Sequence, residues 1–477
     1  MAAASPYIRH EPASNSLWVL VAFALFAFAG GLGYALAYGE MQAFFVAASL
    51  VAALAVLFDF RIGVVLLVLI MPIGATQLFP YGLMGVPGLN PTNLLILATV
   101  AAFVLRGGAI RQLAPRPVLW LMVVPVVLAG LLGMAHFDDI AAYFFETEAI
   151  IFTSPVGYFQ QFAFRPLLLV AMAMLLAVAV TKSQKPERFI VPMMVSVWLI
   201  ALIELGFIAA SGVRLGYLAS PGARSFYEDI GIHANDLGRL FAVAYGVLLF
   251  VWWETKNGAL KTALFFTLGV AALAMVLTFS RGAFLGFFIV NGLFLLWKFN
   301  AKTVGLALLA GSAAAIIAPE YLWNRITFGF DSGDMNEVSA DRIDGIWLPL
   351  LPEVWKSPIW GNGLASTMWS APMVSGAMVP AGHPHNAYLE AVLDMGLVGL
   401  TLLMLFYWYA WRGFRALGSN AFLSPEMRGL FQGASAALVC FLVTGGTGSS
   451  LRPEPEFCFL WLAIGMMYGM LARKPAG

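Results

Sequence analysis

His383 and His385 flank Pro384 immediately before a long apolar run. An imidazole placed there is suited to taking a proton from a hydroxyl near neutral pH, whereas a lone histidine would more often be a satisfied interfacial residue. Asn386 and Glu390 follow four residues apart and so share a helix face, which would put an amide and a carboxylate beside that pair; Asn386 could equally cap the helix. Arginines form the second group. Arg165 and Arg281 each stand where a loop meets an apolar run, a depth at which a charge is costly and is usually paired or functional. Arg214, Arg224 and Arg342 lie in loops on the same expected side. A guanidinium is a fixed fork of donors that suits phosphate oxygens, so such a group suggests an anionic ligand. Pairing with nearby acids such as Asp229, Asp341 and Asp344 is the alternative for any single arginine.

The elements that must position these residues are membrane helices. Of the 477 residues, 61% are hydrophobic and 11% charged, less than half the charge of an ordinary globular domain. About fourteen apolar runs are long and continuous, which suits helices and not the alternating strands of a barrel. They cover residues 17–38, 41–58, 62–79, 91–106, 117–135, 164–181, 189–211, 237–253, 259–279, 282–298, 303–318, 386–411, 429–447 and 456–472. Twelve to fourteen helices are expected, all-α, in one membrane domain spanning 1–477. The first run ends in a cleavage-like Ala35-Leu36-Ala37 but exceeds the usual apolar length of a signal peptide, so it reads as a retained helix. With both termini in the cytoplasm, every inner loop carries a basic residue. Arg165, Arg214, Arg224, Arg239, Arg281, Arg325, Arg342, Lys356 and Arg452 then fall outside, with the long segments 136–163, 212–236 and 319–385. Function is expected to face outward, with 319–385 as a cap whose tryptophans (Trp323, Trp347, Trp355, Trp360, Trp369) can pack on the bundle.

Net charge is +1, which suggests no nucleic-acid partner. Cys440 and Cys458 sit in apolar runs and read as small buried hydrophobes. Asp138-Asp139 and Glu146-Thr147-Glu148 read as loop acids before metal ligands, so no metal and no cofactor are expected. Glu204 lies within an apolar run, and a transporter is the reading from another class; no repeat supports it.

The stretch His383-Pro384-His385-Asn386-Ala387-Tyr388-Leu389-Glu390, continuing through Asp394-Met395-Gly396-Leu397-Val398-Gly399-Leu400, resembles the signature of the O-antigen ligase and O-antigen polymerase superfamily. Ser280-Arg281-Gly282-Ala283, Arg342, Trp355-Lys356-Ser357-Pro358 and Gly361-Asn362-Gly363 resemble that family's order of elements, over about residues 230–410. The resemblance implies a glycosyltransferase C type helical fold in the bacterial inner membrane, acting at the periplasmic face on undecaprenyl pyrophosphate-linked glycans. It assigns His385 as general base and His383 as its neighbour. Arg281 and Arg342 are assigned to the pyrophosphate, with Arg165, Arg214 and Arg224 placed by topology. His233 and Asn235 form a substrate-side element, with Asn386 and Glu390 supporting. The implied reaction is inverting and metal-independent. A polysaccharide polymerase, with a lipid-linked glycan as acceptor, is the leading expectation; a ligase to lipid A-core is the alternative. Membrane lipids and a chain-length regulator or flippase complete the expected partners.

Overall fold

The computed structural model describes residues 30, 31, 39, 41–76, 78, 79, 82, 83, 86–88, 90–147, 150, 152–330, 333–448 and 450–473. The expected run 17–38 lies almost wholly outside the described residues. Each of the other thirteen runs is helical: α1 Met41–Phe58, α2 Phe60–Ile70, α3 Pro91–Leu105, α4 Arg116–Met134, α5 Pro155–Lys182, α6 Pro186–Ser211, α7 Ala234–Glu254, α8 Gly258–Leu277, α9 Arg281–Trp297, α10 Ala301–Ile317, α11 Ala387–Gly418, α12 Pro425–Thr444 and α13 Cys458–Leu471. Seven of these, α4 to α8, α11 and α12, are long and apolar enough to cross a membrane, and the chain is a multi-pass membrane protein. The run expected over 62–79 stops being α-helical at Ile70, where Pro72 leads into the 3₁₀ turn Ile73–Ala75. Among the described residues the only strands are two-residue partners, β1 Gly82–Leu83 and β2 Val86–Pro87.

The chain divides into two compact units, Met1–Gly63 with Phe79–Ala102, and Val64–Leu78 with Phe103–Gly477. In the first, Asp59 accepts from Arg61 at 2.6 Å. The second holds every candidate site residue. Its centre is α7, buried along almost its whole length and packed against α8, α9 and α12. Gly429 and Gly433 allow the closest approach: a Cβ on either would collide with α7 backbone at Phe250 or Val247. Water provides little drive between helices in a bilayer, so such small-residue packing is what joins them.

The segment between α10 and α11 folds into short helices, including Glu320–Thr327, the π-turn Ile343–Trp347 and Leu348–Val354. It is stitched to α11 where that helix breaks. Gly396 has φ +64°, and the opened turn receives Pro358 and Ile359, whose carbonyls accept from Leu397 N (2.9 Å) and Val398 N (3.2 Å). Two residues earlier, buried Asp394 accepts from Ala365 N (2.8 Å), Ser366 N (3.0 Å) and Ser366 Oγ (2.8 Å). Gly361 and Gly363, at φ +77° and +104°, make the turn between them. Asp394→Ala strands those donors in the interior, at about 1–3 kcal/mol for each unsatisfied group. A marked fall in the midpoint of thermal unfolding in detergent is expected; an unchanged midpoint would show that this stitch is dispensable. Of the five tryptophans expected to pack on the bundle, Trp323, Trp355 and Trp360 do not: they stand 42%, 77% and 68% exposed. Such exposure suits the headgroup zone of a bilayer.

Candidate functional site

The His383-Pro384-His385 turn is held from three directions. Trp347 Nε1 donates to Pro384 O at 2.8 Å, linking the turn to the segment before it. His385 N donates to His383 Nδ1 at 3.2 Å, and the two imidazole centroids lie 4.1 Å apart. Asn386 caps α11, accepting from Tyr388 N and Leu389 N at 3.1 Å each, which is the capping reading of that residue. His385 itself has φ +51°, a left-handed backbone that non-glycine residues rarely adopt. Removal from water is the main force lowering both histidines. His383 is lowered to about 4, with Arg239, Arg342 and His233 adding to the effect against the opposing charge of Asp236. His385 is lowered to about 2, with His383, Arg342, His233 and Arg239 contributing. Both imidazoles are therefore neutral near neutral pH.

Joined to them through the Trp347–Pro384 hydrogen bond is a cavity of about 390 Å³ whose lining includes Arg239, Arg281 and Arg342 together with Phe284, Leu285, Phe288 and Phe330, and neither histidine. Arg281, Phe284, Leu285 and Phe288 share one face of α9. Arg239 is buried in the first turns of α7, with Nη1 on Asp236 (3.0 Å), Nη2 on Thr447 O (3.0 Å) and Nε without a partner. Arg342 reaches the same Thr447 carbonyl at 3.4 Å. Arg281, the first residue of α9, donates to Phe328 O at 2.9 Å and lies over the Phe328 ring. Among the described residues no carboxylate is within ion-pair distance of Arg281 or Arg342. Burial, then the charges of Arg239 and Arg281, lower Arg342 to about 10. Preorganised like charges in a partly dry cavity are what a polyanion requires, since the protein need not reorganise to meet it.

A second cavity, of about 190 Å³, is lined by Gln161, Arg165, His233, Asp236, Glu454 and Glu456, among others. Arg165 thus lines a wall separate from the three clustered arginines. His233 Nδ1 accepts from Asn235 N at 3.1 Å, capping α7, while Asn235 Oδ1 accepts from Ser280 Oγ at 3.0 Å and joins α7 to the start of α9. Arg214 is exposed at the head of the single turn Leu215–Leu218 and lines neither cavity. Arg224 lies in the 3₁₀ segment Pro221–Ile230. Glu390 points to Arg452, pairing at 2.8 Å inside the bundle. Glu204 is fully buried in α6 and lines neither cavity. Cys440 and Cys458 are buried free thiols. Asp139 pairs with His136 at 2.8 Å, and Glu148 is outside the described residues.

Arg239, Thr447 and Arg452 are the participants that the sequence reading did not select. Arg239 is embedded in an apolar run, and its one local signal is Asp236 a helical turn earlier. Thr447 acts through its backbone carbonyl, which no side-chain pattern reports.

The family model described as O-antigen ligase matches residues 263–404. That stretch carries the O-antigen ligase domain. It belongs with the O-antigen ligase and polymerase superfamily, and contains Arg281, Arg342, both site histidines, Asn386, Glu390 and Asp394. Arg165, His233, Arg239, Thr447 and Arg452 lie outside it. No curated protein matches the chain.

Proposed function

We propose that this protein is a membrane glycosyltransferase that moves a glycan from undecaprenyl pyrophosphate to an acceptor sugar hydroxyl at the periplasmic face of the bacterial inner membrane. The observation that supports this reading is the larger cavity: its lining combines three arginines with apolar side chains, as a polyprenyl pyrophosphate would require, and Trp347 of the same lining holds the histidine turn through Pro384 O. The fold is read as glycosyltransferase C type, with twelve to fourteen spans in one domain, cytoplasmic termini and 319–385 as a periplasmic cap.

In the proposed inverting displacement, an acceptor oxygen attacks the anomeric carbon as the bond to pyrophosphate breaks. Its proton goes to His385, and the leaving pyrophosphate stays among Arg239, Arg281 and Arg342. Holding two membrane-tethered reactants in line supplies much of the rate. The same arginines that lower His385 are neutralised by the incoming pyrophosphate, so the donor itself raises the basicity of the imidazole. A pH profile follows from this. Both histidines are depressed below the ordinary 6.5, so kcat/KM should not fall with protonation of a base between pH 6.5 and 5. A loss of about tenfold per pH unit across that interval would show an ordinary, water-exposed histidine instead.

The acceptor is taken to be a lipid-linked glycan, as in a polysaccharide polymerase. Purified protein incubated with the lipid-linked repeat unit alone should yield a ladder on a gel. A product that forms only with lipid A-core would make it a ligase, and no product with either would sink the transferase reading. A chain-length regulator or flippase is the proposed protein partner in the membrane.

A further inference from the structure

We propose that the smaller cavity is the acceptor-side sugar subsite, and that it takes a single pyranose residue through its hydroxyls. The inference rests on the transferase reading and gives that reading's acceptor half a place.

Three observations carry it. First, the cavity is polar and mixed in kind. Gln161 and Arg165 offer donors, while Asp236, Glu454 and Glu456 offer carboxylate oxygens. A ring of alternating hydroxyls, each donor and acceptor at once, is satisfied by such a set. The acids do not converge as cation ligands would: among the described residues no three His, Cys, Asp or Glu side chains are placed to hold a metal ion. At about 190 Å³ the space is below the roughly 300–1,000 Å³ of drug-sized ligand sites and suits one sugar residue better than a lipid headgroup.

Second, the two cavities share a wall. Asp236 lines the smaller one, and its Oδ1 accepts from Arg239, which lines the larger. Third, the histidine pair, which lines neither cavity, lies near residues of both. His383 is close enough to Asp236 and His233 of the smaller cavity, and to Arg239 and Arg342 of the larger, to feel the charge of each. Trp347, which lines the larger cavity, holds the turn through Pro384 O. An in-line displacement needs the acceptor hydroxyl on one side of the base and the leaving group on the other, and these cavities provide the two sides.

Sugar binding at a single subsite is weak, so saturation-transfer NMR on the full-length protein in detergent is the suitable measurement. The probes are methyl glycosides of glucose, galactose, mannose, rhamnose and N-acetylglucosamine. At least one of these neutral glycosides should receive saturation. Gln161→Ala and Glu454→Ala should each weaken that signal by about tenfold, the loss of one hydrogen-bond partner, while Arg342→Ala keeps it. No saturation of any neutral glycoside, or a signal that survives both cavity substitutions, would overturn the subsite. Undecaprenyl pyrophosphate is tested separately in the same samples by thermal shift. A wild-type protein that holds the glycoside but gives no shift with that lipid would sink the donor reading and leave the sugar site standing.

Discussion

His385→Asn protein should fold and insert as the wild type does, bind undecaprenyl pyrophosphate, and transfer glycan on the order of 10²–10⁴-fold more slowly. Asparagine is chosen over alanine because of the backbone. His385 has φ +51°, where asparagine is one of the few side chains found readily, so the substitution removes the imidazole and leaves the turn unstrained. The unfolding midpoint should be equal to that of the wild type or higher. A residue held in an unfavourable conformation and recovering stability when replaced is the pattern of strain kept for function. His383→Ala should have a smaller effect on the rate, because His383 Nδ1 accepts from His385 N and so positions the turn. Single-turnover assays with lipid-linked donor, beside a lipid-binding measurement, separate the outcomes. A His385→Asn enzyme with full activity would end the assignment of His385, and one that no longer binds donor would make it a binding residue.

Much of this arrangement was legible in the chain, for reasons that differ from residue to residue. Thirteen apolar runs became helices because a bilayer-length helix is written by composition alone, and α2 shortened only where Pro72 intervenes. The histidine pair and Arg281 were readable because each sits at the end of an apolar run, where a polar side chain is conspicuous. Arg239 was not, since its partners Asp236 and Thr447 O are a local acid and a backbone carbonyl from a distant loop. Spacing correctly put Asn386 and Glu390 on one helix, yet their side chains diverge: Asn386 turns back to cap α11, and Glu390 is taken by Arg452, 62 residues later in the chain. Arg165 shares an expected side of the membrane with Arg281 and Arg342 but lines a different cavity, because a topology assigns faces and not neighbours.

Arg342→Ala should have opposite effects on activity and on stability. The empty cavity holds three guanidinium groups, and of these Arg239 alone has a carboxylate partner in Asp236; the charge on Arg342 is already resisted by burial and by Arg239 and Arg281. Removing it relieves that repulsion, so the protein without donor should unfold at the same temperature as the wild type or above it. On the proposed mechanism the transition state would lose a donor where pyrophosphate charge develops, and transfer should slow by about 10²–10³-fold, the scale seen when one such preorganised donor is removed. Arg342→Lys should recover only part of the rate, since an ammonium replaces the planar fork with a point charge. Inorganic pyrophosphate should raise the unfolding midpoint of the wild type and do so much less in Arg342→Ala, by the linkage between ligand binding and stability. Loss of stability together with activity would instead make Arg342 a structural tie to Thr447 O, and that outcome would remove the main support for reading this cavity as the pyrophosphate site.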